Sequence, residues 1–220
     1  MVHSLPIGTH QFHFTRKGYV PMDREWTIKH KESILDTVQM ERISYVKSQA
    51  FYFGLSYTLI GLQGGITPML GYIYKNHDLQ LSYTFGTTKS DEGYVYQMQS
   101  NKSWDYQSGV QYKENTFAIK YGYQIALMGR IAITPQLGFA MHSLSCSNTD
   151  LSTKYADGAK ANSLTLGARV AWVPMQHLYA FVAPQMGFIV KQDDAFKYAA
   201  DQIGFNGSGF GISIGVMANF

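Results

Sequence analysis

From Ala50 to the end of the chain, apolar and polar residues alternate in segment after segment. A repeat of two places successive side chains on opposite faces of a strand. Residues 50–60 set Phe51, Phe53, Leu55, Tyr57 and Leu59 against Tyr52, Gly54, Ser56 and Thr58. The same division recurs over 79–87, 116–127, 131–142, 163–173 and 178–190, less cleanly over 67–75, and finally over 209–220. In that last segment Phe210, Ile212, Ile214, Val216, Ala218 and Phe220 oppose Gly211, Ser213, Gly215, Met217 and Asn219. The pattern predicts eight strands, each with a bulky apolar face and a small or polar one that carries glycine at 54, 86, 122, 138, 167, 187, 211 and 215.

The connections sort the architectures. Short turns fall at 75–78, 128–130 and 174–177, while the segments 88–115, 143–162 and 191–207 are long and rich in Ser, Asn, Asp, Lys and Gly. Apart from the first connection, 61–66, short and long alternate strictly. Short turns at one end and long loops at the other are the pattern of a barrel that spans a membrane with its strands. A soluble sandwich or lipocalin-type barrel would turn its bulky face inward. Here the face opposite the bulky one holds the glycines with Lys120, Arg169, Gln124 and Gln136, which suits the crowded lumen of an eight-stranded cylinder. The predicted fold is all-β: an eight-stranded antiparallel transmembrane β-barrel over 46–220, preceded by a small partial β module over 1–45.

Residues 1–45 differ in texture. Gln11-Phe12-His13-Phe14, Glu25-Trp26-Thr27-Ile28-Lys29 and Ile34-Leu35-Asp36-Thr37-Val38 are short strand candidates among dense charges. Leu5-Pro6-Ile7-Gly8-Thr9-His10 followed by Lys17-Gly18-Tyr19-Val20-Pro21 resembles the second half of a PEGA-type domain, a small extracytoplasmic β module. So few strands bury little on their own. The expectation is that this chain is the C-terminal part of a longer one, and MVHSLPIGTHQF has no apolar core of a signal peptide.

The terminal strand ending in Phe220 resembles the segment by which Gram-negative outer-membrane barrels of the eight-stranded type are recognised for insertion. That resemblance implies an outer-membrane location with residues 1–45 in the periplasm, and Phe220 as insertion signal. It also implies contact with outer-membrane lipids, lipopolysaccharide and the barrel-assembly machinery, and protein partners through the module and loops. The expected role is a non-enzymatic anchor or accessory protein. Two alternatives stay open: a lipid A-modifying hydrolase, which needs a His/Ser/acid cluster at the outer rim, and a small-solute pore, which needs a continuous wet lumen.

Composition narrows this further. Aromatic residues make up 15% and charged residues only 15% of the 220 residues, the latter below the usual quarter or so. No apolar run approaches the ~18 residues of a membrane helix. A formal charge of +3 with scattered Lys and Arg does not point to nucleic acid, and the lone Cys146 rules out an internal disulfide. His10 and His13 face opposite sides of one strand, so no metal site is expected, and Gly64-Gly65 has no helix to make a phosphate loop. No cofactor is implied. His142 and Ser143 point to opposite faces, and no acid stands at the required place within a strand.

The lumen network predicted to brace the wall comprises Lys120, Arg169, Gln124 and Gln136. With the strands drawn as above, no Asp or Glu points inward. The two cations are therefore expected to pair with the loop acids Glu92, Asp105, Glu114, Asp157, Asp193 and Asp194, to bond carbonyls and tyrosines, or to stay hydrated. A Pro-x-x-Gly-aromatic pattern recurs at Pro68, Pro135 and Pro184, and because proline cannot donate to a ladder each is expected at a bulge or strand end.

Overall fold

The structure, a computed structural model, describes residues 5–30, 37–41, 43–60, 63–96, 104–127, 129–148, 158–194, 196–197 and 209–220. The chain divides into two compact units, Met1–Ser44 and Tyr45–Phe220.

The described strands of the first unit form a hairpin. β1 (Gly8–Phe14) pairs antiparallel with β2 (Met22–Ile28), from Gly8↔Ile28 to Phe14↔Met22. Phe12 and Phe14 lie against Trp26, with ring centroids 4.7 and 5.8 Å away, so one face is an aromatic cluster. Of the third predicted strand, residues 34–36 lie outside the described residues, and Thr37 and Val38 are not in a strand.

The second unit is a closed barrel. Its strands are β3 (Gln49–Ile60), β4 (Gln63–Tyr74), β5 (His77–Tyr96), β6 (Trp104–Tyr123), the two-residue β7 (Ile125–Ala126), β8 (Ile131–Asn148), β9 (Ala159–Met175), β10 (Leu178–Gln192) and β11 (Gly209–Asn219). Each pairs antiparallel with its neighbour, β6 with β8 and β11 with β3, the last from Gly211↔Ile60 to Asn219↔Tyr52. β7 continues β6 in the same register against β8 (Gly122↔Gln136, then Ile125↔Ile133), so the wall has eight strands and no edge.

Burial is inverted relative to a soluble protein. Phe51, Phe53, Leu137, Leu166, Phe210 and Ile214 are exposed on the outer face, while Gln80, Thr134, His142, Ser163 and Arg169 are buried inside. An apolar outer band around a polar interior requires a hydrocarbon surround.

Strands run further than the hydropathy pattern indicated. Much of the predicted 88–115 loop is ladder, from Thr88↔Lys113 to Tyr96↔Trp104, and β8 and β9 likewise extend to Asn148 and from Ala159. Beyond the apolar band the outward residues turn polar, so the alternation fades while backbone pairing continues. At the other end the β4–β5 turn is tighter than expected. Lys75 and Asn76 have φ of 48° and 70°, and two successive positive values make a two-residue primed turn. His77 and Asp78 therefore belong to β5 rather than to the turn.

The prolines correct a second expectation. Pro68, Pro135 and Pro184 sit inside strands, paired with Leu55, Ala168 and Ile212. No register shift occurs at any of them; the shifts lie at Phe85/Thr88, Asp91/Gly93, Leu178/Ala180 and Ile189/Lys191. Each proline occupies a position where the ladder lapses on one side only, as between β6 and β7 opposite Pro135.

Two glycines make room for large lumen side chains. A Cβ at Gly71 would overlap the Tyr52 hydroxyl and ring, and one at Gly138 would lie 2.8 Å from Lys120 Cγ. Tyr52 and Lys120 each cross the wall over a bare backbone.

Candidate functional site

The lumen is layered from the short-turn end outward. The first layer is an apolar plug of Tyr52, Met69, Ile73, Val173, Tyr179, Phe181 and Met217. The segment entering β3 lies across this end: Lys47 N donates to the Tyr179 hydroxyl at 2.9 Å, and that hydroxyl donates to Tyr45 O at 3.2 Å. Gln124 Nε2 donates to Lys47 O at 2.8 Å. Gln124 thus closes the short-turn end and makes no hydrogen bond to Lys120, Arg169 or Gln136, a correction to its place in one predicted network.

Above the plug lies a charged belt. Arg169, 1% exposed, donates from Nη2 to Asp78 Oδ2 at 2.5 Å and from Nη1 to Gln80 Oε1 at 2.9 Å and the Tyr52 hydroxyl at 3.3 Å. The Tyr52 hydroxyl donates to Asp78 Oδ1 at 2.8 Å, and Gln136 Nε2 donates to Gln80 Oε1 at 3.3 Å. The carboxylate that balances Arg169 is therefore an inward strand residue, and the expectation that no acid occupies such a position is overturned. Two residues moved from turn to strand account for it. The two terminal nitrogens of Arg169 are thus engaged by a carboxylate, an amide oxygen and an aromatic hydroxyl, while its buried Nε has no partner among the described residues.

Lys120 stands apart. Its Nζ donates to Gln185 Oε1 at 2.6 Å and meets no carboxylate within salt-bridge distance among the described residues. It borders a cavity with the hydroxyls of Thr58, Thr67, Thr84 and Ser213, which form a chain with each link 2.9 Å.

A second acid faces inward near the outer end. Glu114 on β6, His142 on β8 and Ser163 on β9 are all buried. His142 Nδ1 is hydrogen-bonded to Glu114 Oε1 and lies 3.0 Å from Thr116 Oγ1, while Nε2 lies 2.7 Å from Ser163 Oγ. Glu114 was expected in a loop, yet by parity with Thr116 and Ala118 it points inward once β6 is extended. Ser143 is exposed on the other face, so the serine that meets His142 comes from the next strand. The pairing His142↔Ala161 sets Ser163 one inward position along β9. Parity alone marks Ser163 as inward; only the register couples it to His142. The fully buried Phe196 places its ring 6.2 Å from the imidazole.

An acid on one imidazole nitrogen and a hydroxyl on the other fix the orientation of the ring between them. The arrangement contains the parts of a nucleophile relay, held at the level where the outer face of β8 changes from Met141 to Ser143. Among the described residues no three His, Cys, Asp or Glu side chains gather as a metal site. Phe220 is 76% exposed, and its N donates to Phe51 O at 2.8 Å, extending the β11–β3 seam to the last residue.

No family model and no curated protein matches the chain. Solved structures do. A major outer membrane protein from Thermus thermophilus is similar at 14% identity and a TM-score of 0.50, over 79% of this chain and 100% of that one. Neisserial surface protein A is similar at 12% identity and a TM-score of 0.47, over 78% of this chain and 96% of that one. The N-terminal β-barrel domain of Pseudomonas aeruginosa OprF gives 11% identity and a TM-score of 0.46, over 78% and 97%. At 14% identity the likeness to the Thermus protein is one of fold alone.

Proposed function

We propose that the protein is an outer-membrane barrel with a non-enzymatic role, an anchor or accessory protein whose lumen is a closed brace. The observation that carries this reading is the belt of Asp78, Tyr52, Gln80, Gln136 and Arg169 above a solid apolar plug. In a cylinder of eight strands the interior is only wide enough to be filled by side chains, and these residues fill its short-turn half. The apolar outer band supports residence in a bilayer, where outer-membrane lipids and lipopolysaccharide would cover it. The short-turn end and the PEGA-like N-terminal unit would then face the periplasm, available to protein partners. Phe220, largely exposed at the end of the seam, fits an insertion signal read by the barrel-assembly machinery. Deleting it is expected to lower the amount reaching the outer membrane more than the stability of barrels already folded, as measured by fractionation and heat-modifiability.

Planar-bilayer recording of the purified barrel tests the closed brace. Silence of the wild type is the expected result. Steady anion-selective conductance, abolished by Arg169→Ala, would replace it with the pore reading.

Glu114, His142 and Ser163 favour a second reading, a lipid-modifying hydrolase. Ser163 Oγ would attack an acyl-ester carbonyl as its proton passes to His142 Nε2, which would return that proton to the leaving alkoxide. Incubation with a fluorophosphonate probe separates the two. A covalent adduct on Ser163, lost in His142→Gln, would establish the hydrolase. No adduct, together with no fatty acid released from lipopolysaccharide, leaves the anchor reading in place.

A further inference from the structure

Charge is not evenly matched along the lumen. Arg169 has Asp78, and His142 has Glu114. Lys120 has a neutral amide oxygen. An ammonium carries three donors, and one of them is used on Gln185. The absence of a Cβ at Gly138, where a built one would meet both Lys120 Cγ (2.8 Å) and Thr165 Oγ1 (2.6 Å), lets the lysine stem lie against the wall beside Thr165.

The cavity over Lys120 has walls of one electrostatic character. Lys120, Arg169 and His142 all border it, as do nine Ser and Thr residues, and among the described residues no Asp or Glu does. Asp78 and Glu114 meet Arg169 and His142, and neither carboxylate is among the residues that border the space. The space open to the centres of water-sized particles is about 40 Å³, against roughly 10–15 Å³ for one ordered water. That admits one small ion with a water or two, and it excludes a sugar, a peptide or a lipid headgroup.

We propose that this cavity is a binding site for a small monovalent inorganic anion of chloride size, held by Lys120 Nζ and neighbouring hydroxyls such as Thr165. A half-buried lumen cation without a counter-charge is still costly, and an anion in the adjoining void would offset that cost while using the two free ammonium donors. In the hydroxyl chain Thr67 donates to Thr58, and either oxygen of the Thr58–Ser213 pair can give the proton, so a hydroxyl at that end can turn its hydrogen to the cavity. The site is a static counter-ion site inside a closed barrel and needs no conduction.

The test uses the full chain refolded in detergent at constant ionic strength, with sodium chloride, sodium bromide, sodium sulfate and sodium gluconate exchanged for one another. The melting temperature is expected to rise saturably with chloride or bromide, and not with the larger gluconate or sulfate. The rise should vanish in Lys120→Met, because an anion that binds only the folded state stabilises it by mass action. Equal melting temperatures in chloride and gluconate would overturn the site, as would a chloride dependence that survives in Lys120→Met. Should that variant not refold, wild-type crystals soaked in bromide decide. An anomalous peak within hydrogen-bonding reach of Lys120 Nζ supports the site, and no peak there refutes it. Neither readout depends on conductance, so a failed site and a failed closed-barrel reading give different results.

Discussion

The two halves of the lumen are built on the same wall and filled in opposite ways. Towards the short turns, Tyr52, Ile73, Tyr179, Met217 and Arg169 project inward, each nearly fully buried. Towards the loops, the inward positions of the same strands carry Ser56, Thr58, Thr67, Ser163 and Ser213, and a cavity remains. Strand number sets the barrel's cross-section, so side-chain volume decides whether a given level is solid or hollow. The polar groups follow that division. In the solid half Asp78 is enclosed with Arg169 among aromatic and amide groups; in the hollow half Lys120 and His142 border a space that water or an ion can enter.

The largest expected effect lies in the solid half. Asp78→Leu strands the Arg169 guanidinium and should cost on the order of 3–5 kcal/mol, the usual consequence of removing one partner of a buried pair. Urea titration of refolded barrels measures it, and a loss well under that range would mean that the belt is hydrated after all. Next, Ile119→Arg places a charge on the lipid face, which near the midplane should cost about 2–4 kcal/mol. Ser82→Thr on the lumen side of the neighbouring strand is the matched control, expected to be far milder in the same titration. Gly122 cannot serve as that control, because a Cβ there would lie 2.7 Å from Pro135 O.

Arg169→Ala is expected to cost less than loss of Asp78, about 1–3 kcal/mol for the partners left unsatisfied. Arg169 borders the cavity and Asp78 does not, so water can occupy part of the vacated space. Equal costs for the two changes would contradict that asymmetry. The smallest effect belongs to the hollow half. Glu114→Gln keeps an acceptor for Thr116 and His142 and should lower stability by about 1 kcal/mol. A cost as large as that of Asp78→Leu would show that the outer cluster is as tightly sealed as the belt, and would erase the distinction between the halves.

The number of strands, the identity of the outer face and the inward direction of Lys120, Arg169, Gln124 and Gln136 were legible in the sequence. A repeat of two is a local property, set by the pleat, and hydrocarbon outside demands it in every strand. What those inward residues touch was not legible. Asp78 enters β5 because Lys75 and Asn76 both adopt positive φ, and a lysine there carries no signal of such a turn. Glu114 lies beyond the apolar band, where the outward residues no longer mark a strand. Ser163 meets His142 through the β8–β9 register, and Gln185 meets Lys120 from β10, a strand that does not pair with β6. Alternation assigns a side chain to a face and says nothing of which residue lies opposite, because pairing register and closure are properties of the whole cylinder. The two faces of the wall were therefore determined by the sequence alone, and its register, its strand ends and the contacts inside the lumen by the tertiary structure.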